Sequence, residues 1–178
     1  MRNSAILVLV LMFSAIATGG DKAASPEQSR KAYERFKALA GAWHGKSTKG
    51  WSEQIQYNVI AAGSAVEERS FDAHPGEAML TIVHMDGDRL MLTHYCAARN
   101  QPRLLATSIS PDGNSVEFTF LDATNLPSRD KGHMDKAVFH FIDDRHFTTR
   151  WTWYQDGKEQ WLEEIQMERT SASEQPQK

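Results

Sequence analysis

An all-β fold, a closed antiparallel up-and-down barrel of about ten strands behind one short helix, is what this sequence predicts. Three observations carry it. From Trp43 onward the apolar residues recur at every second position, which is the strand period. Short turn signals separate the runs, so neighbours in sequence are neighbours in space. The run Gly41-Ala42-Trp43-His44-Gly45 stands between the helix and the first strand, where a large aromatic closes one end of a small barrel.

The elements follow in order. Ser25-Pro26-Glu27-Gln28 opens a helix over 25–40: Ser25 caps it, Pro26 takes the first helical position and Gln28 completes a capping box. Tyr33, Phe36, Leu39 and Ala40 form its apolar face, Arg30, Lys31, Glu34, Arg35 and Lys37 the solvated one, and Gly41 ends it. Strands are predicted near 42–49, 51–60, 64–71, 78–85, 88–97, 102–110, 114–121, 133–142, 146–155 and 158–168. Asp156-Gly157 suits a two-residue type I′ turn, which sets Arg150 opposite Glu163 on one face with Thr152, Trp161, Ile165 and Met167. At Met85 to Arg89 a three-residue loop gathers Leu80, Ile82, His84, Leu90, Leu92, His94 and Cys96 on one face, whereas a two-residue loop sets His84 opposite to His94.

Met1-Arg2-Asn3-Ser4 followed by apolar residues to Ala17 predicts a signal peptide over 1–17, with cleavage as late as residue 24 as the alternative, and a secreted or periplasmic protein. The apolar stretch is too short to span a membrane. One domain occupies 25–169, and the polar residues 170–178 read as a disordered tail. The formal charge of −3 becomes more negative once Arg2 is removed, and no stripe of Lys and Arg exists; both exclude a nucleic-acid partner. Cys96 is the single cysteine, so no intrachain disulfide forms and stability rests on packing.

With Gly41, Trp43 and Gly45 after a short helix, the up-and-down strand series and Arg169 at the end of the last strand, the chain resembles the calycins: lipocalins, fatty-acid-binding proteins and related barrels. It looks most like the secreted bacterial lipocalin-like proteins. The resemblance implies that Arg169 packs over Trp43, a structural role, and it supplies no activity.

Candidate chemistry clusters in three places. His94 and Cys96, two apart on a strand, point to one face and suit two contacts to one ligand. Arg150 with Glu163, joined by Arg103 and Tyr57, offers an interior ion pair or a carboxylate receptor. The loop 122–132 carries Asn125 and leads to His133, at the place of a lid. Glu67-Glu68 and Asp143-Asp144 do not face themselves as acid/base couples. The leading expectation is a secreted, non-enzymatic barrel, monomer or weak dimer, that holds a small hydrophobic or amphipathic ligand without a cofactor or metal. Its predicted contacts are His94, Cys96, Arg103, Asn125, His133 and Arg150. Alternatives are an enzyme using His94 with Cys96 or His133 at the barrel mouth, a haem barrel with His94, His133 or His140 as axial donor, a metal site on His133-x-Asp135 or His94-x-Cys96, and an interaction module presenting Trp151 or Trp153.

Overall fold

The computed structural model describes residues 24–73 and 77–170; the leader read at 1–17 and residues 171–178 of the tail lie outside them. Helix α1 (Pro26–Ala38) precedes ten strands: β1 (Gly41–Ser47), β2 (Ser52–Ile60), β3 (Ala65–Ala73), β4 (Glu77–Asp86), β5 (Arg89–Tyr95), β6 (Gln101–Ile109), β7 (Ser115–Thr124), β8 (His133–Phe141), β9 (His146–Gln155) and β10 (Lys158–Arg169). Each strand pairs with its sequence neighbours, and β1 pairs with β10 to close the barrel. Closure leaves no edge strand unpaired.

The capping box at Ser25 and Gln28 forms as the sequence predicts. Gln28 also donates to the Ile109 carbonyl at 2.7 Å, and Tyr33 donates to the Gly63 carbonyl at 3.0 Å, which ties the helix to one end of the barrel. Phe36 enters the core there, with ring centroids 4.9 Å from Phe139, 5.2 Å from Phe141 and 5.9 Å from Phe118, all edge-on. Val66, Val83, Leu90, Leu92, Leu104 and Phe147 fill the same half.

Trp43 is 1% exposed. Its indole N–H donates to the Leu39 carbonyl at 2.7 Å, and the Arg169 guanidinium lies 4.3 Å over its ring. Arg169 in turn donates to the carbonyls of Ala38 at 2.7 Å, Ala40 at 2.8 Å and Asp144 at 2.9 Å. It satisfies carbonyls left over at the helix C-terminus while sealing the β1–β10 seam, where Trp43 and Arg169 are register partners.

The second glycine of the run has a different reason. Gly45 faces inward opposite Met167 and Glu53, and a Cβ there would lie 2.7 Å from Met167 Sδ, 2.9 Å from Ile165 Cγ2 and 3.0 Å from Glu53 Cγ. The sulfur can swing aside, but Ile165 is held by its β-branch and the Glu53 stem by its buried carboxyl. Gly45→Ala is therefore expected to lower stability by about 1–3 kcal/mol in urea unfolding, the usual range for overpacking.

Two register expectations are corrected. Across Asp156-Gly157 the pairing begins as expected, with Lys158 opposite Gln155, but a bulge between Glu159 and Trp161 adds one residue. Arg150 therefore pairs with Glu164 outside the barrel, and Glu163 turns inward without it. Between β4 and β5 the loop is the two-residue kind, with Asp86 opposite Arg89 and Gly87 at φ 59°. That register turns Thr81, Val83, Leu92 and His94 inward and leaves His84 on the outer wall.

Candidate functional site

The helix plugs one end, and the turns β1–β2, β5–β6 and β9–β10 surround the other. Behind these turns lies a cavity of about 370 Å³, lined among others by Trp51, Glu53, Glu68, Ser70, His94, Cys96, Trp151, Trp153 and Glu163. That is room for roughly a dozen waters at about 30 Å³ apiece, and it falls in the range of small-molecule pockets.

Strand register builds its wall. Tyr57 is opposite Glu68, Glu68 opposite Thr81 and Thr81 opposite His94, so four directly paired residues make a polar girdle across β2, β3, β4 and β5. Hydrogen bonds run along it. Tyr57 Oη donates to Glu68 at 2.6 Å, Thr81 Oγ1 donates to Glu68 at 3.2 Å, and Thr81 Oγ1 lies 3.0 Å from His94 Nδ1. When Glu68 is ionised the Thr81 proton is directed at it, and the Thr81 oxygen accepts from His94 Nδ1–H; that chain of bonds sets the tautomer. His94 Nε2 is then a lone-pair acceptor. It is buried and has no hydrogen-bond partner among the described residues, and the same holds for Ser70 Oγ.

Two more carboxyls complete the site. Glu163, turned inward by the β10 bulge, accepts from Ser47 Oγ. Glu53 is 5% exposed, and its carboxyl makes no hydrogen bond with any described residue. Burial, then the nearby charges of Glu68 and Glu163, push its pKa up to about 8. Burial also raises Glu68, against the pull of the Tyr57 and Thr81 hydrogen bonds, and the Tyr57 phenol is driven well above its usual range. Burial pushes His94 down to about 4, so its imidazole is neutral at physiological pH. The Trp151 ring lies 5.1 Å from that imidazole. None of the described residues lining the cavity is Lys or Arg.

Of the six residues the sequence nominated, His94 and Cys96 line this cavity. Burial raises the Cys96 thiol, which keeps it protonated and poorly nucleophilic. Arg103 stands on the outer wall, paired with Asp122, and Arg150 stands there with Glu164 at 3.6 Å. A guanidinium inside would need burial, whereas the alternation of β6 and the bulge in β10 give both an exposed partner. Asn125 is exposed at a positive-φ turn position and donates to Gln101 at 3.2 Å. His133 is wholly buried, yet away from the cavity. Its Nδ1 bonds the Lys131 carbonyl at 2.6 Å, Arg129 donates to Nε2, and the ring packs on Phe120 and Tyr154. Both nitrogens are spent in holding the β7–β8 loop, so His94 and His133 form no dyad. His140 is exposed. Trp151 and Trp153 face the cavity rather than presenting an outer patch. Among the described residues no group of three His, Cys, Asp or Glu is set to hold a metal ion.

Sequence reasoning missed Glu53 and Glu68, and it set Glu163 on the inner face only as the partner of Arg150. The signal was parity: Glu53 shares a face with Ile55 and Tyr57, Glu68 with Val66 and Ser70, and Glu163 with Ile165 and Met167. A carboxylate on the apolar face of three strands is a site signal.

A second hollow, about 710 Å³, runs along the outside of the Trp43–Arg169 seam past Gln54, Gln56 and Arg145. It is larger, but none of its described lining residues holds a buried polar atom without a partner. The interior cavity is the candidate site.

No family model and no curated protein matches the chain. Among solved structures, it is similar to a protein of unknown function from the DUF3598 family of Nostoc punctiforme, with a TM-score of 0.51 and 15% identity over 75% of this chain. The chain spans about half the length of that protein, 48%. At that identity the likeness shows the barrel fold and nothing of its use.

Proposed function

We propose that this protein is a secreted binding protein that holds a small amphipathic molecule in the open half of its barrel. One observation carries the reading: a cavity of about 370 Å³ behind the mouth turns keeps two buried polar atoms, His94 Nε2 and Ser70 Oγ, without a partner. A buried polar atom left unmatched costs about 1–3 kcal/mol. A ligand or trapped water recovers that cost, whereas a barrel built only for rigidity would fill the space with apolar side chains, as the helix end does. Three indoles that line the cavity, Trp51, Trp151 and Trp153, supply the apolar walls.

Titration with the neutral fluorescent probe N-phenyl-1-naphthylamine tests it. The wild-type barrel is expected to give saturable binding with a blue-shifted emission. Thr149→Trp, which fills the cavity from a buried β9 position, is expected to weaken binding by at least about tenfold while keeping the far-UV spectrum. Non-saturable binding, or equal binding by the filled variant, overturns the reading. Native mass spectrometry of protein taken from its own host is expected to show a co-purifying small molecule.

A further inference from the structure

We propose that the molecule held in this barrel is an organic cation: an ammonium head against Glu53, Glu163 and His94 Nε2, with an apolar or aromatic body among Trp51, Trp151 and Trp153. The inference rests on the binding reading above and names its ligand class.

The hydrogen-bond inventory carries it. Three carboxyl groups turn into one cavity, from β2, β3 and β10, and no described Lys or Arg lines it with them. Glu68 is engaged by Tyr57 and Thr81, and Glu163 by Ser47, but Glu53 has no hydrogen-bond partner among the described residues. His94 lines the cavity at 4% exposure, and its unpartnered Nε2 lies on the other side of the ring from the Nδ1 that faces Thr81. Carboxylates and an imidazole lone pair accept; they do not donate when ionised or in this tautomer. The complementary guest brings several N–H donors and a positive charge. An anion would meet three carboxyls with no described Lys or Arg among the lining residues, whereas an ammonium brings both the N–H donors and the charge that lets Glu53 ionise. The indoles favour the same guest, because an aromatic face attracts a cation and packs against its body. Arg103 and Arg150 do not serve as internal counter-ions, since both are turned outward and paired there.

Binding of this kind moves a proton. Near neutral pH the Glu53 carboxyl is largely protonated, and to pair with an ammonium it must ionise, so its proton leaves to the buffer. The ammonium keeps its own. Affinity therefore rises with pH until Glu53 is ionised in the empty protein.

Calorimetry with phenethylammonium chloride, its neutral isostere 2-phenylethanol and the anionic 3-phenylpropionate tests the class, each in two buffers of different ionisation enthalpy. The ammonium is expected to bind at least about tenfold more tightly than the alcohol, with no binding by the carboxylate. Near-neutral titrations are expected to release up to about one proton per ammonium bound. Glu53→Gln is expected to remove the proton release and weaken the ammonium by at least about tenfold. If the alcohol binds as tightly as the ammonium, or no proton is released, the cation class is overturned while the probe titration of the preceding section stands. If none of the three binds, the class is overturned, and the probe titration alone decides whether the cavity binds anything. Stoichiometric binding of zinc or magnesium chloride that displaces the ammonium overturns it in favour of a metal. Should Glu53→Gln fail to fold, Glu163→Gln and proton release by the wild type decide the matter.

Discussion

Trp43→Ala is expected to destabilise the barrel by about 3–5 kcal/mol, the range for deleting a large aromatic from a core. Three losses combine. The first is apolar burial and the edge-on contact with Phe147, whose centroid lies 4.7 Å away. The second is the Leu39 carbonyl, which loses its indole donor at the end of α1. The third concerns Arg169, whose guanidinium is partly desolvated, as its lowered pKa shows, and which loses the ring face it lies on. Trp43→Phe keeps the ring and drops the donor, so it is expected to cost well under half as much. Urea unfolding followed by circular dichroism measures both. A Trp43→Ala loss below about 1 kcal/mol would mean that the seam is held by strand pairing alone. A double-mutant cycle with Arg169→Met is expected to show a coupling of about 0.5–2 kcal/mol. Because Trp43 belongs to the helix end and does not line the cavity, the folded variant is expected to bind the probe like the wild type.

The same residue shows what was legible in the sequence. Trp43 and Arg169 sit at the two ends of the strand series, and their contact needs only closure of the barrel, which ten alternating strands with short turns already demand. The helix cap was legible for the same reason: its signals are local. Register was not. One extra residue at the bulge between Glu159 and Trp161 exchanges Glu163 for Glu164 as the partner of Arg150, and a bulge leaves no mark in an alternation that merely slips by one. A loop shorter by one residue did the same to His84 between β4 and β5.

The site was half legible. His94 and Cys96 are inward under either loop, so their place on the cavity wall does not depend on the register. Arg103 and Arg150 were nominated on the supposition that an interior anion would need a cation; the interior instead concentrates carboxyls without one. The girdle of Tyr57, Glu68, Thr81 and His94 comes from four strands, and pairwise register fixes it only when all three ladders are known together. No single stretch of sequence holds that information.

The stability of the empty protein is expected to fall as pH rises from about 6.5 to about 8.5, and Glu53→Gln is expected to abolish most of that fall. Unfolded, Glu53 titrates near 4.5; folded, near 8. Between those values the folded chain keeps a proton that the unfolded chain has released, so each pH unit upward costs about 1.4 kcal/mol. His94 works the other way. Its pKa drops on folding from 6.5 to about 4, so between those values the unfolded chain binds the extra proton and stability rises with pH. The two slopes oppose one another from about 4.5 to 6.5 and leave a plateau. Above it Glu53 sets the slope, and about 2 kcal/mol is lost by pH 8. Urea midpoints measured across this range give the slope directly. A flat wild-type profile above 6.5, or an unchanged one in Glu53→Gln, would show that the carboxyl reaches water when it ionises. A bound ammonium reverses the penalty, because it holds Glu53 ionised in the folded state. Phenethylammonium is therefore expected to raise the urea midpoint more at pH 8.5 than at pH 6, which ties the stability of the barrel to the charge of its guest.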